Sequence, residues 1–292
     1  MKDISINEFK ISGPVKIEDL PTSYDLDASE KKIKNGLKDV RKDMGKLQDT
    51  MYAHGKYAVL ICLQGMDTAG KDSLIREVFK DFNSRGVVVH SFKVPTPLEL
   101  KHDFLWRHYI ALPARGKFGV FNRTHYENVL ATRVHPSFIL NENIPGINSV
   151  EDIDGVFWEH RFEDINNFEK HLTENGTLIF KFFLNISKNE QKHRLLRRLN
   201  REDKNWKFSP GDLKERELWD DYMNCYEDLL NKTSMPNAPW YAIPCDDKKT
   251  SRYLVARIIY DTLKTFSDIK EPELSEDIKA HIDMYKHQLE KE

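Results

Sequence analysis

Residues 1 to about 27 are polar, carry Pro14 and Pro21, and show no apolar period, so they read as an extended arm. From Ala28 the pattern changes. Ile33, Leu37, Val40, Met44, Leu47 and Met51 recur at steps of four and three, which predicts a helix with one narrow apolar stripe. Such a stripe most often lies across its own domain, and in the minority of cases faces another subunit. Residues 57–65, YAVLICLQG, form an unbroken apolar run ending in glycine, the mark of a strand buried on both faces of a parallel sheet. A helix is predicted over 71–86 with Gly86 as its stop, a strand over 87–94, a helix over 97–112 and a strand over 116–123. Then follow a helix over 150–176 ending at Gly176 and a strand over 177–187. Ser187 and Glu190 make a capping box for the next helix, and Ser209-Pro210 opens another. A short strand at 239–245 and an amphipathic helix at 248–266 close the order. Strands alternate with helices, so the expected fold class is α/β: three layers, α/β/α, around a largely parallel sheet. The expected organisation is an arm and helix at 1–54, a main domain at 55–265 with a helical excursion at about 187–235, and a charged helical tail at 266–292.

Length and composition change this picture little. The 292 residues suffice for one large α/β domain. Charged residues make up 32% of the chain, yet the net charge is only −2, so neither a basic nucleic-acid binder nor an acidic tail protein is expected. The three cysteines, Cys62, Cys225 and Cys245, fit no metal spacing and read as reduced thiols. No signal-peptide pattern opens the sequence and no run reaches membrane-span length, so a cytoplasmic protein without a membrane partner is expected.

The chemistry concentrates in three places. Residues 65–71, GMDTAGK, place glycine, four residues, glycine and lysine between a predicted strand and helix. There the backbone N–H groups of Gly65, Met66, Thr68, Ala69 and Gly70 and the helix start at Asp72 and Ser73 face an anion, and Lys71 adds a positive charge. The plain alternative is a tight strand-to-helix turn. The hydroxyl residue that normally follows the lysine and holds magnesium is replaced by Asp72. A carboxylate beside phosphates is repulsive unless a cation lies between them, so Asp67 is the candidate Mg2+ ligand, or the orienter of its waters. Asp72 reads instead as an acid favoured by the helix dipole.

The second place is residues 119–136, GVFNRTHYENVLATRVHP. A phosphate-loop fold sets an acid at this strand end; here Asn122 replaces it. Arg123 follows, and Glu127 lies one helical turn beyond. Asn122 and Glu127 are expected to reach the cation of Asp67, and Arg123 and Arg133 to hold phosphate oxygens, with a helix-end cation as the alternative for Arg133. The third place is the helix after Ser187. Arg194, Arg197, Arg198 and Arg201, with Lys192 nearby, give it a cationic face, expected to act as a mobile lid over phosphates.

Together these stretches resemble the second family of polyphosphate kinases, the polyphosphate:nucleotide phosphotransferases. The likeness rests on GMDTAGKDSLI, FLWRHYIALPARGKFGVFNRTHYENVLATRVHP, KFFLNISKNEQKHRLLRRL, WKFSPGDLKERELWDDYMNCYEDLLNKTS and APWYAIPCDDKKTSRYLVARII, in matching order over about residues 55–262. The family's loop is itself glycine, x, aspartate, x, x, glycine, lysine, as around Asp67. The resemblance implies a P-loop kinase-like fold and Mg2+-dependent phosphoryl transfer, with Mn2+ a possible substitute, between polyphosphate and AMP or ADP. ATP is then a product and a partner, and the protein a homo-oligomer, dimer or tetramer. Many members read FDR at the strand end; FNR followed by HYENVL resembles the subgroup that phosphorylates both AMP and ADP. This moves weight from position 122 to Asp67 and Glu127. On this reading Lys71 is expected at the transfer point and Arg123, Arg133, Lys181, Arg194 and Arg198 on the polyphosphate and the transferred group, with Arg107 and Lys248 as weaker candidates for the chain. The competing expectations are an ATP-dependent nucleoside monophosphate kinase and a non-catalytic polyphosphate- or nucleotide-binding module.

Overall fold

The stripe at 33–51 forms the inner face of α1, Glu30–His54, and its members except the partly buried Leu47 are buried in the protein's own core. Ser29 caps the helix start, and Gly55 ends it in the left-handed conformation. The stripe is thus consumed within the chain and is not available to a second subunit. The computed structural model describes residues 1–206 and 208–292. After α1 come β1 (Ala58–Gln64), α2 (Lys71–Val78), β2 (Val87–Ser91), α3 (Trp106–Tyr109), β3 (Phe118–Asn122) and α4 (Ala131–Val134). There follow α5 (Gly155–Glu174), β4 (Thr177–Asn185), α6 (Lys188–Leu199), α7 (Glu202–Asn205), α8 (Pro210–Glu217), α9 (Trp219–Thr233), β5 (Trp240–Pro244), α10 (Lys248–Leu263) and α11 (Glu276–Glu290).

Among the described residues, five strands make one parallel sheet in the order β2-β3-β1-β4-β5. Central β1 is buried at every position, which explains its unbroken apolar sequence. Leu63 is in register with Asn122 of β3 and Phe182 of β4. Because all strands run the same way, the loops after β1, β3, β4 and β5 meet at one end of the sheet, where open α/β sheets bind ligands.

The arm is more than a tether. Ile11 N–H donates to Trp240 O at 2.8 Å and Ala242 N–H donates to Phe9 O at 2.8 Å, so the arm covers the β5 edge, and Phe9, Ile11 and Leu26 join the same core as α1 and the sheet. α1 packs against α10.

Two predicted helices are shorter than expected. Over 97–112 only a 3-10 turn, Glu99–Lys101, and the single turn α3 form. Asp103 Oδ1 accepts from the N–H groups of Leu105 and Trp106, so its side chain restarts the backbone and competes with a continuous helix. α2 stops at Val78 rather than at Gly86, which instead closes a 3-10 turn. The expected lid, 187–235, is built from α6 to α9; Lys207 within it lies outside the described residues. α11 is exposed along its whole length, and among the described residues no helix is long and apolar enough to cross a membrane.

Candidate active site

Residues 65–70 connect β1 to α2. A Cβ on Gly65 would meet Leu184 O at 2.7 Å, so glycine is required where the loop passes β4. Gly70, with φ of 112°, caps α2 in a conformation that other residues avoid. Lys71 Nζ donates to Gly65 O at 2.5 Å and to Met66 O at 3.3 Å, folding back over its own loop. Burial, followed by the charge of Arg123, pushes this ammonium below its ordinary value, against the pull of Asp67, Glu127 and Asp72. Ser73 Oγ donates to Gly70 O at 3.0 Å, and among the described residues the buried Thr68 hydroxyl has no hydrogen-bond partner.

The loop after β3 comes to meet this one. Arg123 adopts a left-handed φ of 59° and donates from Nη2 to Asp67 Oδ1 at 3.1 Å; its Nη1 lies 3.9 Å from Glu127 Oε2. Burial works against the charge of Arg123, but Glu127 and then Asp67 outweigh it and raise the guanidinium above its ordinary value. Asp67, Lys71, Arg123 and Glu127 thus converge, although more than fifty residues separate the two loops. Two carboxylates remain partly exposed at the rim of a loop built for anions.

Other expected site residues are placed differently. Arg194, on α6, points into the protein rather than out over the phosphate loop. It is buried, and each of its five N–H donors has an acceptor. Nε donates to Glu190 Oε1 at 2.7 Å, Nη1 to Thr68 O at 2.9 Å and Ala69 O at 3.0 Å, and Nη2 to Cys245 O at 2.6 Å and Asp246 O at 3.0 Å. It clamps the phosphate loop to the loop after β5. The inward pitch of α6 separates it from Arg197, which is exposed, and from Arg198, which pairs with Asp212 at 3.2 Å. Lys181, expected on the polyphosphate, is fully buried and gives its three protons to Glu169, Tyr126 and Thr233, leaving none for a ligand. It lies in β4, between β1 and β5, where the strand is buried from Ile179 to Asn185.

Asn122 was expected beside Asp67. Among the described residues its hydrogen bonds go to Asp72 Oδ1 at 2.6 Å and Ser91 Oγ at 3.3 Å. Asp72 accordingly does more than answer the helix dipole: it joins α2 to the end of β3. Arg133 donates to Asp228 Oδ2 at 2.7 Å and stands over the rings of Trp158 and Phe162. Arg107 pairs with Glu99 at 3.3 Å beside the Phe92 ring, away from the phosphate loop's contacts.

Several functional neighbours carried no legible signal. Buried Gln191 donates to Asp67 O at 3.1 Å and accepts from Arg216 at 2.6 Å, connecting α8 to the phosphate loop. Tyr222 and Tyr226 lie four residues apart on α9; burial raises both hydroxyls, and the charges of Glu127 and Asp67 add to the shift. Their spacing was visible, but not which helix face would meet Glu127.

Among the described residues no group of three or more His, Cys, Asp or Glu side chains is set to hold a metal alone. Mg2+ takes one or two carboxylates and completes its shell with water and substrate phosphates. Asp67 and Glu127, drawn together on Arg123, are two carboxylates of the kind such an ion takes. Asn122, committed to Asp72, does not join the pair.

The fold order, the glycine loop with its lysine, and the acidic-basic rim define a P-loop phosphotransferase. The chain belongs to the family described as polyphosphate kinase 2 (PPK2), whose model matches residues 27–271. It is 49% identical over 219 residues to the ADP-polyphosphate phosphotransferase of Rhodopseudomonas palustris, covering 75% of each chain. It is 44% identical over 219 residues to the AMP/ADP-polyphosphate phosphotransferase of Meiothermus ruber, covering 75% of this chain and 76% of that one. The crystal structure of polyphosphate kinase 2 from Arthrobacter aurescens superposes with a TM-score of 0.88 at 35% identity and 97% coverage of both chains.

Proposed function

We propose that this enzyme transfers a phosphoryl group between inorganic polyphosphate and AMP or ADP, reversibly, forming ADP and ATP. The observation that carries the reading is the convergence of Asp67 and Glu127 on Arg123 beside Lys71: paired carboxylates in an anion cradle make sense when a cation lies between two polyanions. Both acceptors are already anionic at the attacking oxygen, so no general base is needed, and catalysis rests on positioning and charge. The loop amides and Lys71 bind phosphate oxygens at the transfer point. Arg123 swings between its carboxylates and the transferred group. Arg198, at the half-exposed end of α6, and Arg133 face the anionic chains. Mg2+, for which Mn2+ can substitute, would be held by Asp67 and Glu127 and would neutralise charge on the phosphates. The unpaired, buried cysteines support a cytoplasmic location.

The test is incubation of AMP with polyphosphate and Mg2+, without ATP, using fractions from a sizing column. ADP followed by ATP, formed by a fraction of dimer or tetramer mass, is the expected result. Product that appears only when ATP is supplied would make the protein a nucleoside monophosphate kinase.

Lys248 supplies a second check. It opens α10 and is half-buried; burial, then Arg194, Arg197 and Arg252, push its ammonium from 10.5 down to about 8. In the free protein this lysine binds fewer protons than in the unfolded chain between those values, so its contribution to stability rises with pH across that window. A polyanion laid beside it reverses the shift. Polyphosphate binding slightly above pH 8 should therefore take up a proton, seen by calorimetry in buffers of different ionisation enthalpy. Lys248→Met should reduce the uptake, leaving whatever share Lys71 contributes. Binding by the parent without proton uptake would place the chain elsewhere.

A further inference from the structure

The residues after β3 alternate in a telling way. Arg123 and Glu127 turn outward to the phosphate loop, whereas Thr124, His125 and Tyr126 between them are fully buried. Thr124 Oγ1 accepts from Gln64 Nε2 at 3.1 Å, and Gln64 immediately precedes Gly65. Tyr126 OH donates to Glu169 Oε1 at 2.6 Å, and His125 Nε2 lies 3.2 Å from the same oxygen. Lys181 Nζ donates to Glu169 Oε2 at 2.6 Å, to Tyr126 OH at 2.8 Å and to Thr233 O at 2.6 Å. Thr233 ends α9, the helix that carries Tyr222 and Tyr226. Glu169 and Lys181 therefore hold the loop after β3 and the end of α9 to one point, behind the site and out of reach of any substrate.

A buried ion pair is poor value as a source of stability, because desolvation cancels much of its attraction and apolar residues of similar volume often do as well or better. What apolar side chains cannot do is fix one orientation of a loop through directed hydrogen bonds. This loop needs fixing: Arg123 holds a left-handed φ that persists only where its surroundings over-determine it. Burial opposes ionisation of Glu169, but Lys181 and then His125 outweigh it and hold the carboxyl below its ordinary range, so an anion receives these donors.

Resting on the phosphoryl-transfer reading above, we propose that Glu169, Lys181 and Tyr126 are positioning residues for catalysis, which set Arg123 and Glu127 against Asp67 from within the core. Two variants test it. Tyr126→Phe keeps the ring and its packing but removes the hydroxyl that ties the loop after β3 to the Glu169–Lys181 pair. The double variant Lys181→Met with Glu169→Leu removes both charges at similar volume. Both are compared with the parent in the polyphosphate assay at a temperature where each is folded, together with melting temperature and the Mg2+ concentration giving half-maximal rate. A displaced loop should lower kcat about tenfold or more, since small misplacements at a reacting centre have large rate effects. It should also raise the half-saturating Mg2+, because Glu127 moves away from Asp67, and these kinetic changes should appear in Tyr126→Phe at temperatures well below its melting point, whatever melting temperature the lost buried hydrogen bonds leave it. Parent-like kcat and Mg2+ dependence in Tyr126→Phe would overturn the proposal, whether or not the double variant folds, and so would a fall in melting temperature alone. An inactive parent would instead overturn the phosphoryl-transfer reading.

Discussion

Arg123→Gly is expected to lower kcat about 10³-fold, the scale on which an arginine at the transferred phosphoryl group acts, while leaving the fold as stable as before. The two effects separate because of the backbone. Arg123 adopts a φ of 59°, which glycine occupies without strain, so the substitution relieves the main chain while deleting the guanidinium. Its ion pairs with Asp67 and Glu127 are half-exposed and contribute little to stability. Arg123→Lys should recover little, because one ammonium does not reproduce a fork that reaches two carboxylates and a phosphoryl group. Turnover of ADP with polyphosphate, measured beside thermal melting, checks both halves. Near-parental turnover in Arg123→Gly would remove this residue from the transfer step.

For Arg194→Ala the expectation runs the other way: stability falls by about 3–5 kcal/mol, the usual cost of breaking a buried charge pair by deleting one partner, and activity falls with it. The guanidinium closes five hydrogen bonds among Glu190, the phosphate loop and the loop after β5, and its loss leaves four carbonyls and a carboxylate short of donors. Arg194→Lys should fail similarly, since an ammonium has three donors for five acceptors. Urea unfolding would show the loss. A variant of parental stability with reduced kcat would return Arg194 to the role of a mobile lid residue.

The contrast between these two arginines shows where sequence reading succeeds. Both stand in short polar stretches after strands of the sheet, and nothing in the local pattern separates them. The four-residue spacing of Arg194 and Arg198 predicted one shared face, but a shared face can point into the core at one end and to the rim at the other. Lys181 is a similar case: a lysine in an apolar strand announces that its charge must be answered, without saying by what. Its partner Glu169 is twelve residues away on a helix that also serves the sheet. Asn122 was legible as a departure from the usual strand-end acid, yet its partner Asp72 is fifty residues distant.

The sequence by itself determined the strand and helix alternation, the buried central strand, and the glycine loop with its lysine, because these follow from period, backbone freedom and charge within short segments. Where it erred locally, over 97–112, a side chain at Asp103 offered the backbone a competing partner. Only the tertiary structure decided the strand order, the arm's place along β5, and which charges face substrate and which face one another. The cost of burying an unpaired charge is what sorts them, and that cost depends on neighbours brought from distant parts of the chain.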